Sequence, residues 1–150
     1  MPKDEMSTSS YTGPIPDPDI LTAKEFWKGA QNQQLVLPKC NSCKEFFFYP
    51  RIICPKKGCH KTDIAWEVAS GKGSLYTFAI QHVAIDGWKE KLPFVTAFID
   101  TDEKVRMLSV LKNVDPTQPQ SIIIGSRVEV KFEYVNDDIS IPYWEIVNDK

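Results

Sequence analysis

Histidine occurs only twice in these 150 residues, as His60 and His82, and cysteine only four times. So few imidazoles leave little material for an ordinary acid–base pair, and His82 reads as a packed or surface residue within a strand. There is no Gly-x-Ser-x-Gly elbow, no phosphate-binding loop and no dinucleotide fingerprint, which removes the enzyme classes built on them. No apolar run approaches the roughly 20 residues of a membrane helix. The opening residues hold Lys3, Asp4 and Glu5 where an export signal would place an apolar stretch, so a soluble cytoplasmic chain with reduced thiols is expected. A dedicated nucleic-acid binder usually has a strongly basic domain, whereas this chain has a pI near 5.7 and a net charge of −2. Carboxylates at Asp100, Asp102 and Glu103 cluster at a predicted hairpin end, where water normally keeps them.

What is present is concentrated. All four cysteines fall within twenty residues, as Cys40-x2-Cys43-x10-Cys54-x4-Cys59. Two close pairs separated by about ten residues can converge on one tetrahedral ion, and four thiolates suit zinc while leaving no open position for a catalytic water. The expectation is one structural Zn2+ per chain, held by Cys40, Cys43, Cys54 and Cys59. Two disulfides or four buried free thiols are the alternatives, and His60, directly after Cys59, is a substitute ligand. Around the cysteines the segment 39–61 carries Lys39, Lys44, Arg51, Lys56, Lys57 and Lys61 against Glu45 alone, leaving the rest of the chain acidic. These cations can balance the charge of a zinc tetrathiolate or meet phosphate, as in a nucleotide or coenzyme A.

Hydrophobic and charged fractions of 42% and 25% describe a folded chain. Residues 1–21, with alternating Pro14, Pro16 and Pro18, read as a flexible arm. Residues 22–34 follow as an N-terminal helix, opened by a capping box of Thr22 and Glu25, helical from about 23 to 33, with Phe26, Trp27 and Ala30 on one side. Residues 35–63 are the zinc ribbon, in which Phe46–Tyr49 reads as a strand ended by Pro50. Residues 64–150 turn to β patterning. Strands are expected at 64–70, 74–85, 94–101, 105–111, 128–134 and 139–147, with Val128, Val130, Phe132 and Tyr134 in strict alternation. The fold class is mainly β, and the five strands beyond Gly73 suggest a barrel of the OB type.

The order of motifs resembles a known family that joins an N-terminal helix, a rubredoxin-like zinc ribbon and an OB fold, and whose members accompany acyl-CoA enzymes, thiolases especially. The matching pieces are Phe26-Trp27-Lys28-Gly29, Leu37-Pro38-Lys39-Cys40-x2-Cys43, Tyr49-Pro50-Arg51, Cys54-Pro55 and Trp66. Ser70-Gly71-Lys72-Gly73-Ser74-Leu75-Tyr76-Thr77-Phe78, Leu92-Pro93-Phe94-Val95 and Ile124-Gly125-Ser126-Arg127-Val128 continue the series. One departure is plain: the family's second knuckle is commonly Cys-Pro-x-Cys, and two residues more separate Cys54 from Cys59 here.

The resemblance implies a noncatalytic subunit that joins a thiolase-type catalytic partner in a hetero-oligomer and meets a CoA thioester through that complex. Thiolase chemistry needs a nucleophilic cysteine with acid–base groups, and all four cysteines here are assigned to metal. Lys56, Lys57 and Trp88 are the candidates for contact with CoA, Trp88 as an exposed indole between charged neighbours. Phe26 and Trp27 are the candidates for the partner interface. A hydratase or a steroid side-chain aldolase is the related alternative partner. A single-stranded nucleic-acid module, stacking bases on Phe46–Tyr49, is the alternative of another class.

Overall fold

The computed structural model describes residues 9–148. A short helix, α1 (Lys24–Gln31), precedes a two-stranded antiparallel sheet of β1 (Val36–Cys40) and β2 (Ile64–Val68). Then come β3 (Lys72–Gln81), β4 (Phe94–Thr101), β5 (Arg106–Lys112), β6 (Arg127–Tyr134) and β7 (Ser140–Ile146), with 3-10 turns at Lys89–Lys91 and Pro119–Ser121.

The predicted capping box at the start of α1 does not form. Ala23 is the N-cap, without a side-chain hydrogen bond, and its amide donates to the Ile20 carbonyl in a preceding turn. The helix is also shorter than predicted, because Gln33 adopts φ 60° and ends it. The Gln33 amide donates to Ala30 and the Gln34 amide to Gly29, a Schellman closure with glutamine at the position usually given to glycine. Phe26, Gly29 and Ala30 form the buried stripe. Gly29 sits against Val36 of β1, where a Cβ would collide with the valine side chain.

The strand expected at Phe46–Tyr49 reduces to a single bridge between Phe46 and Lys39, followed by one hydrogen bond from the Phe47 amide to the Pro38 carbonyl. Beyond it the chain turns, with a cis peptide between Phe48 and Tyr49. Phe47 is 3% exposed inside the ribbon, while Phe48 faces the helix, its ring 5.7 Å from that of Phe26. Tertiary packing, not strand pairing, uses these aromatics.

β2 pairs along its whole length with β1, from Val36 opposite Val68 to Cys40 opposite Ile64. The remaining five strands close a barrel in the order β3-β4-β5-β7-β6, with β5 and β7 parallel and the other pairings antiparallel. Numbered within the barrel this is 1-2-3-5-4, the five-stranded arrangement of an OB fold. Closure requires β3 to serve two neighbours: Gly73 lies opposite Thr101 of β4 and Val128 of β6. A Cβ there would stand 2.6 Å from the Asp100 carbonyl oxygen, so only glycine permits that approach. The register between β3 and β4 slips at Leu75/Thr77, a bulge that bends β3 around the barrel.

β3 ends at Gln81, short of the predicted Ile85, and residues 82–93 form a loop instead. The alternation of β6 holds at Val128 but fades toward the rim, where Tyr134 is 43% exposed and bonds Asp137. One core joins the barrel to the ribbon base: Leu75, Ile99, Met107, Leu111, Val128 and Trp144 are continuous with Phe26, Leu35 and Leu37. No helix among the described residues is long and apolar enough to cross a membrane.

Candidate metal centre and apolar cleft

The two cysteine pairs sit on two turns of matching design. In the first, Lys44 follows Cys43 with φ 63°, and the Cys40 amide donates to the Glu45 carbonyl at 3.0 Å. In the second, His60 follows Cys59 with φ 50°, and the Cys54 amide donates to the Lys61 carbonyl at 2.8 Å. The two additional residues of the second turn are absorbed before Cys59, at Gly58 with φ 81° and open space around it. The closing hydrogen bond and the left-handed residue are therefore kept.

This geometry brings all four sulfurs within 4.8 Å of one another. Cys40 Sγ lies 3.6 Å from Cys59 Sγ, and Cys43 Sγ lies 3.7 Å from Cys54 Sγ. Those contacts are too long for disulfides, whose sulfurs are ~2 Å apart. They match the edge of a tetrahedron with Zn–S bonds of ~2.3 Å, which is roughly 3.8 Å. His60 is exposed and is not part of the cluster. Backbone amides converge on the sulfurs. Those of Cys43 and Ser42 hold the Cys40 thiol down at about 7, while burial pushes Cys54 up to about 12. A buried thiol so reluctant to ionise in metal-free protein is one that a bound cation must hold as thiolate. The donor set fits a closed structural zinc.

Lys56 and Lys57 line a hollow of about 470 Å³ beside this centre, together with Cys43, Cys59 and Lys61. Lys56 is paired with Glu45 at 2.7 Å, and that ammonium holds the glutamate carboxyl below its usual range. Trp88 is not in that hollow. Its indole is half-buried rather than exposed, packed 5.0 Å from the Phe94 ring, with Tyr11 edge-on at 6.3 Å. The structure thus separates the three CoA candidates into two places. It separates the interface candidates too. Phe26, at 6% exposed, belongs to this chain's own core, and Trp27 is the one of the pair that reaches surface.

Residues 9–13, assigned by the sequence to a flexible arm, lie against the barrel; residues 1–8 fall outside the described residues. Ser9 Oγ donates to the Tyr134 carbonyl and Thr12 Oγ1 to the Gly87 carbonyl. Gly87 has φ 86°, and a Cβ there would collide with the Thr12 carbonyl.

An apolar cleft of about 760 Å³ opens where helix, ribbon and barrel meet. Trp27, Tyr49, Val83, Ile85, Leu108 and Pro142 contribute to it. Val83 and Ile85 are 86% and 69% exposed, unusual for such side chains in a loop. Sequence reasoning missed this cleft. The one local signal was an apolar pair continuing past the end of β3, which alternation assigned to the strand. The proposed base-stacking run is not a platform, since Phe47 is buried and Phe48 packs on Phe26.

Comparison with known proteins agrees with this architecture. Residues 27–64 match the family described as ChsH2, rubredoxin-like zinc ribbon domain, and residues 66–133 match ChsH2, C-terminal OB-fold domain. A DUF35 domain-containing scaffold protein of Methanocaldococcus jannaschii is 32% identical over 105 residues, spanning 69% of this chain and 71% of that protein. The "Probable enoyl-CoA hydratase alpha subunit" of Thermomonospora curvata is 27% identical over 128 residues, 85% of this chain but 38% of its relative. A solved Ltp2-ChsH2(DUF35) aldolase structure superposes with a TM-score of 0.73, covering 89% of this chain and 98% of that one. At 22% identity that likeness concerns the fold alone.

Proposed function

We propose, from the premise that this chain belongs to the DUF35 family of ChsH2-type zinc-ribbon and OB-fold proteins, that it is a noncatalytic accessory subunit of a heteromeric acyl-CoA enzyme. The catalytic partner in this reading is a cytoplasmic thiolase acting on an aromatic or other bulky 3-oxoacyl-CoA. The observation that carries the reading is the capture of every cysteine in one closed centre. Carbon–carbon bond cleavage beside a thioester needs a free thiolate and an acid–base partner. Here no thiol is left over, and both histidines are exposed and neither belongs to the cysteine cluster. The reacting groups belong to another polypeptide.

This chain's contribution is then surface. The 760 Å³ cleft has the size and apolar character of a wall for a bulky acyl group, and Trp27 and Tyr49 on its rim offer amphipathic anchors to a partner. Lys56 and Lys57 offer cations to CoA phosphates. A hydratase or aldolase partner is the second reading, favoured by the names borne by the relatives.

The decisive experiment is affinity capture of the tagged, zinc-loaded chain from its native host, followed by reconstitution of the captured enzyme. The chain alone is expected to turn over no 3-oxoacyl-CoA, and activity appears on adding the partner. Replacing both Lys56 and Lys57 with alanine should raise KM for the thioester more than it lowers kcat. Turnover by the purified chain alone overturns the noncatalytic assignment. Capture of a hydratase or aldolase in place of a thiolase overturns the partner but not the scaffold role.

A further inference from the structure

A second, smaller cavity of about 330 Å³ lies at the side of the barrel beneath the arm residues 9–13. Its floor comes from Phe94 of β4, Lys112 of β5, Glu133 of β6 and Tyr143 of β7, and Ser10 and Tyr11 lie over it. It shares Trp88, Phe94, Val110, Ile141 and Pro142 with the 760 Å³ cleft, but the arm residues and the charged groups Lys91, Lys112 and Glu133 line this cavity and not the cleft.

Its chemistry is unusual for an incidental hollow. Aromatic faces line it from four directions in sequence, Tyr11, Trp88, Phe94 and Tyr143. Two ammonium groups stand among them. Lys112 is committed: its Nζ lies 2.6 Å from Glu133 and 4.2 Å from the centre of the Tyr143 ring. Lys91 is not. Its Nζ sits 4.8 Å from the Tyr11 ring centre and 5.1 Å from that of Trp88, and among the described residues it makes no ion pair. A lysine held between two aromatic rings, with no carboxylate partner among the described residues, is a cation placed to receive an anion. With Glu133 neutralising one ammonium, the lining carries one net positive charge.

We propose that this cavity is a binding site for a small flat monoanion, with Lys91 receiving the carboxylate and Trp88, Phe94 and Tyr143 taking the planar body. The class is the free arylcarboxylates and similar conjugated acids. A quaternary or primary ammonium ligand, the usual guest of an aromatic cage, is excluded because Lys91 already fills the cation position between Tyr11 and Trp88. The volume stands at the lower end of small-molecule sites, which suits one ring and not a nucleotide. The arm acts as a strap: Ser9 and Thr12 tie it to the carbonyls of Tyr134 and Gly87, the chain neighbours of the lining residues Glu133 and Trp88, with Tyr11 between them.

The test is a titration of the full-length, zinc-loaded protein followed by ¹H–¹⁵N correlation spectra, with benzoate as the probe. Benzamide keeps the ring without the charge, and inorganic phosphate keeps charge without the ring. Benzoate should shift the Trp88 indole and the amides of residues 9–13 saturably, with a dissociation constant of roughly 1 mM. Benzamide, phosphate and the Lys91→Met variant should each bind at least about tenfold more weakly, the worth of one charge-assisted hydrogen bond. Lys91→Arg should restore benzoate binding. Absence of saturable shifts with benzoate at ~20 mM, equal binding of benzamide, or an unaffected Lys91→Met variant each overturns the proposal.

Discussion

Replacing Cys43 with serine tests how the ribbon is held together. Its sulfur lies 3.7 Å from Cys54, along one edge of the four-sulfur cluster. A serine hydroxyl is a hard, weakly acidic donor and will not take the place of a thiolate on zinc. Structural zinc in small ribbons is worth ~10–16 kcal/mol, so one ligand of four accounts for about 3–4 kcal/mol, or two to three decades in metal affinity. The ribbon has little to set against that loss. Beyond the cysteines, its buried large side chains are chiefly Leu35, Leu37 and Phe47, each worth about 1.5–3 kcal/mol. Leu37 belongs to the core shared with the barrel, so damage should stay near the turns. The assay pairs a chelator competition, read by a zinc dye, with amide hydrogen exchange. Wild-type protein should carry one zinc. The variant should lose it to at least a hundredfold less chelator, with protection falling over residues 40–63 and persisting in β4–β6. Unchanged chelator resistance refutes the ligand assignment. Loss of protection in the barrel together with the ribbon refutes the confinement of the damage to the cysteine turns.

Three further outcomes follow from the barrel. Trp144 is 0% exposed, and among the described residues its indole nitrogen has no hydrogen-bond partner. Trp144→Ala should therefore cost about 3–5 kcal/mol in urea unfolding, and Trp144→Phe clearly less, since only volume is lost. Gly73→Ala should cost about 1–3 kcal/mol and lower the melting temperature, because the nearest neighbour of the new methyl is β4 backbone, the Asp100 carbonyl oxygen at 2.6 Å, which cannot swing aside as a side chain could. Asp102 is held below its usual carboxyl range by bidentate hydrogen bonding to Arg127. A depressed acid stabilises the fold above its unfolded pKa and ceases to do so as pH falls through the folded value. Asp102→Asn should thus cost under about 1 kcal/mol at pH 7, this pair being surface-exposed, and the difference should vanish as pH falls through the folded value. A gap that widens on acidification would contradict that assignment.

The sequence alone determined whatever depends on neighbours along the chain. Four cysteines in two close pairs specify a metal site because each turn is a local structure, and the left-handed residues after Cys43 and Cys59 complete turns that the spacing already required. Alternation at Val128, Val130, Phe132 and Tyr134 marked a strand for the same reason, a period of two being a property of a single strand, and the five strands beyond Gly73 suggested the barrel. What tertiary structure decided were the questions of who meets whom. Ile64–Val68 has the composition of any strand, and only pairing sets it in a two-stranded sheet with β1 and not in the barrel. Phe26 and Trp27 are adjacent, equally apolar and sequentially indistinguishable, and both line the cleft, yet Phe26 is buried in the core and Trp27 keeps exposed surface. The capping box at Thr22 was locally sound and lost to a preceding turn that docks the helix at Ala23. Residues 9–13 have no period of their own, and their place comes from hydrogen bonds to Gly87 and Tyr134, 75 and 125 positions away. Cleft and strap cavity alike are spaces between distant segments. No pattern along one segment encodes a space, because its walls acquire their shape only when the segments pack.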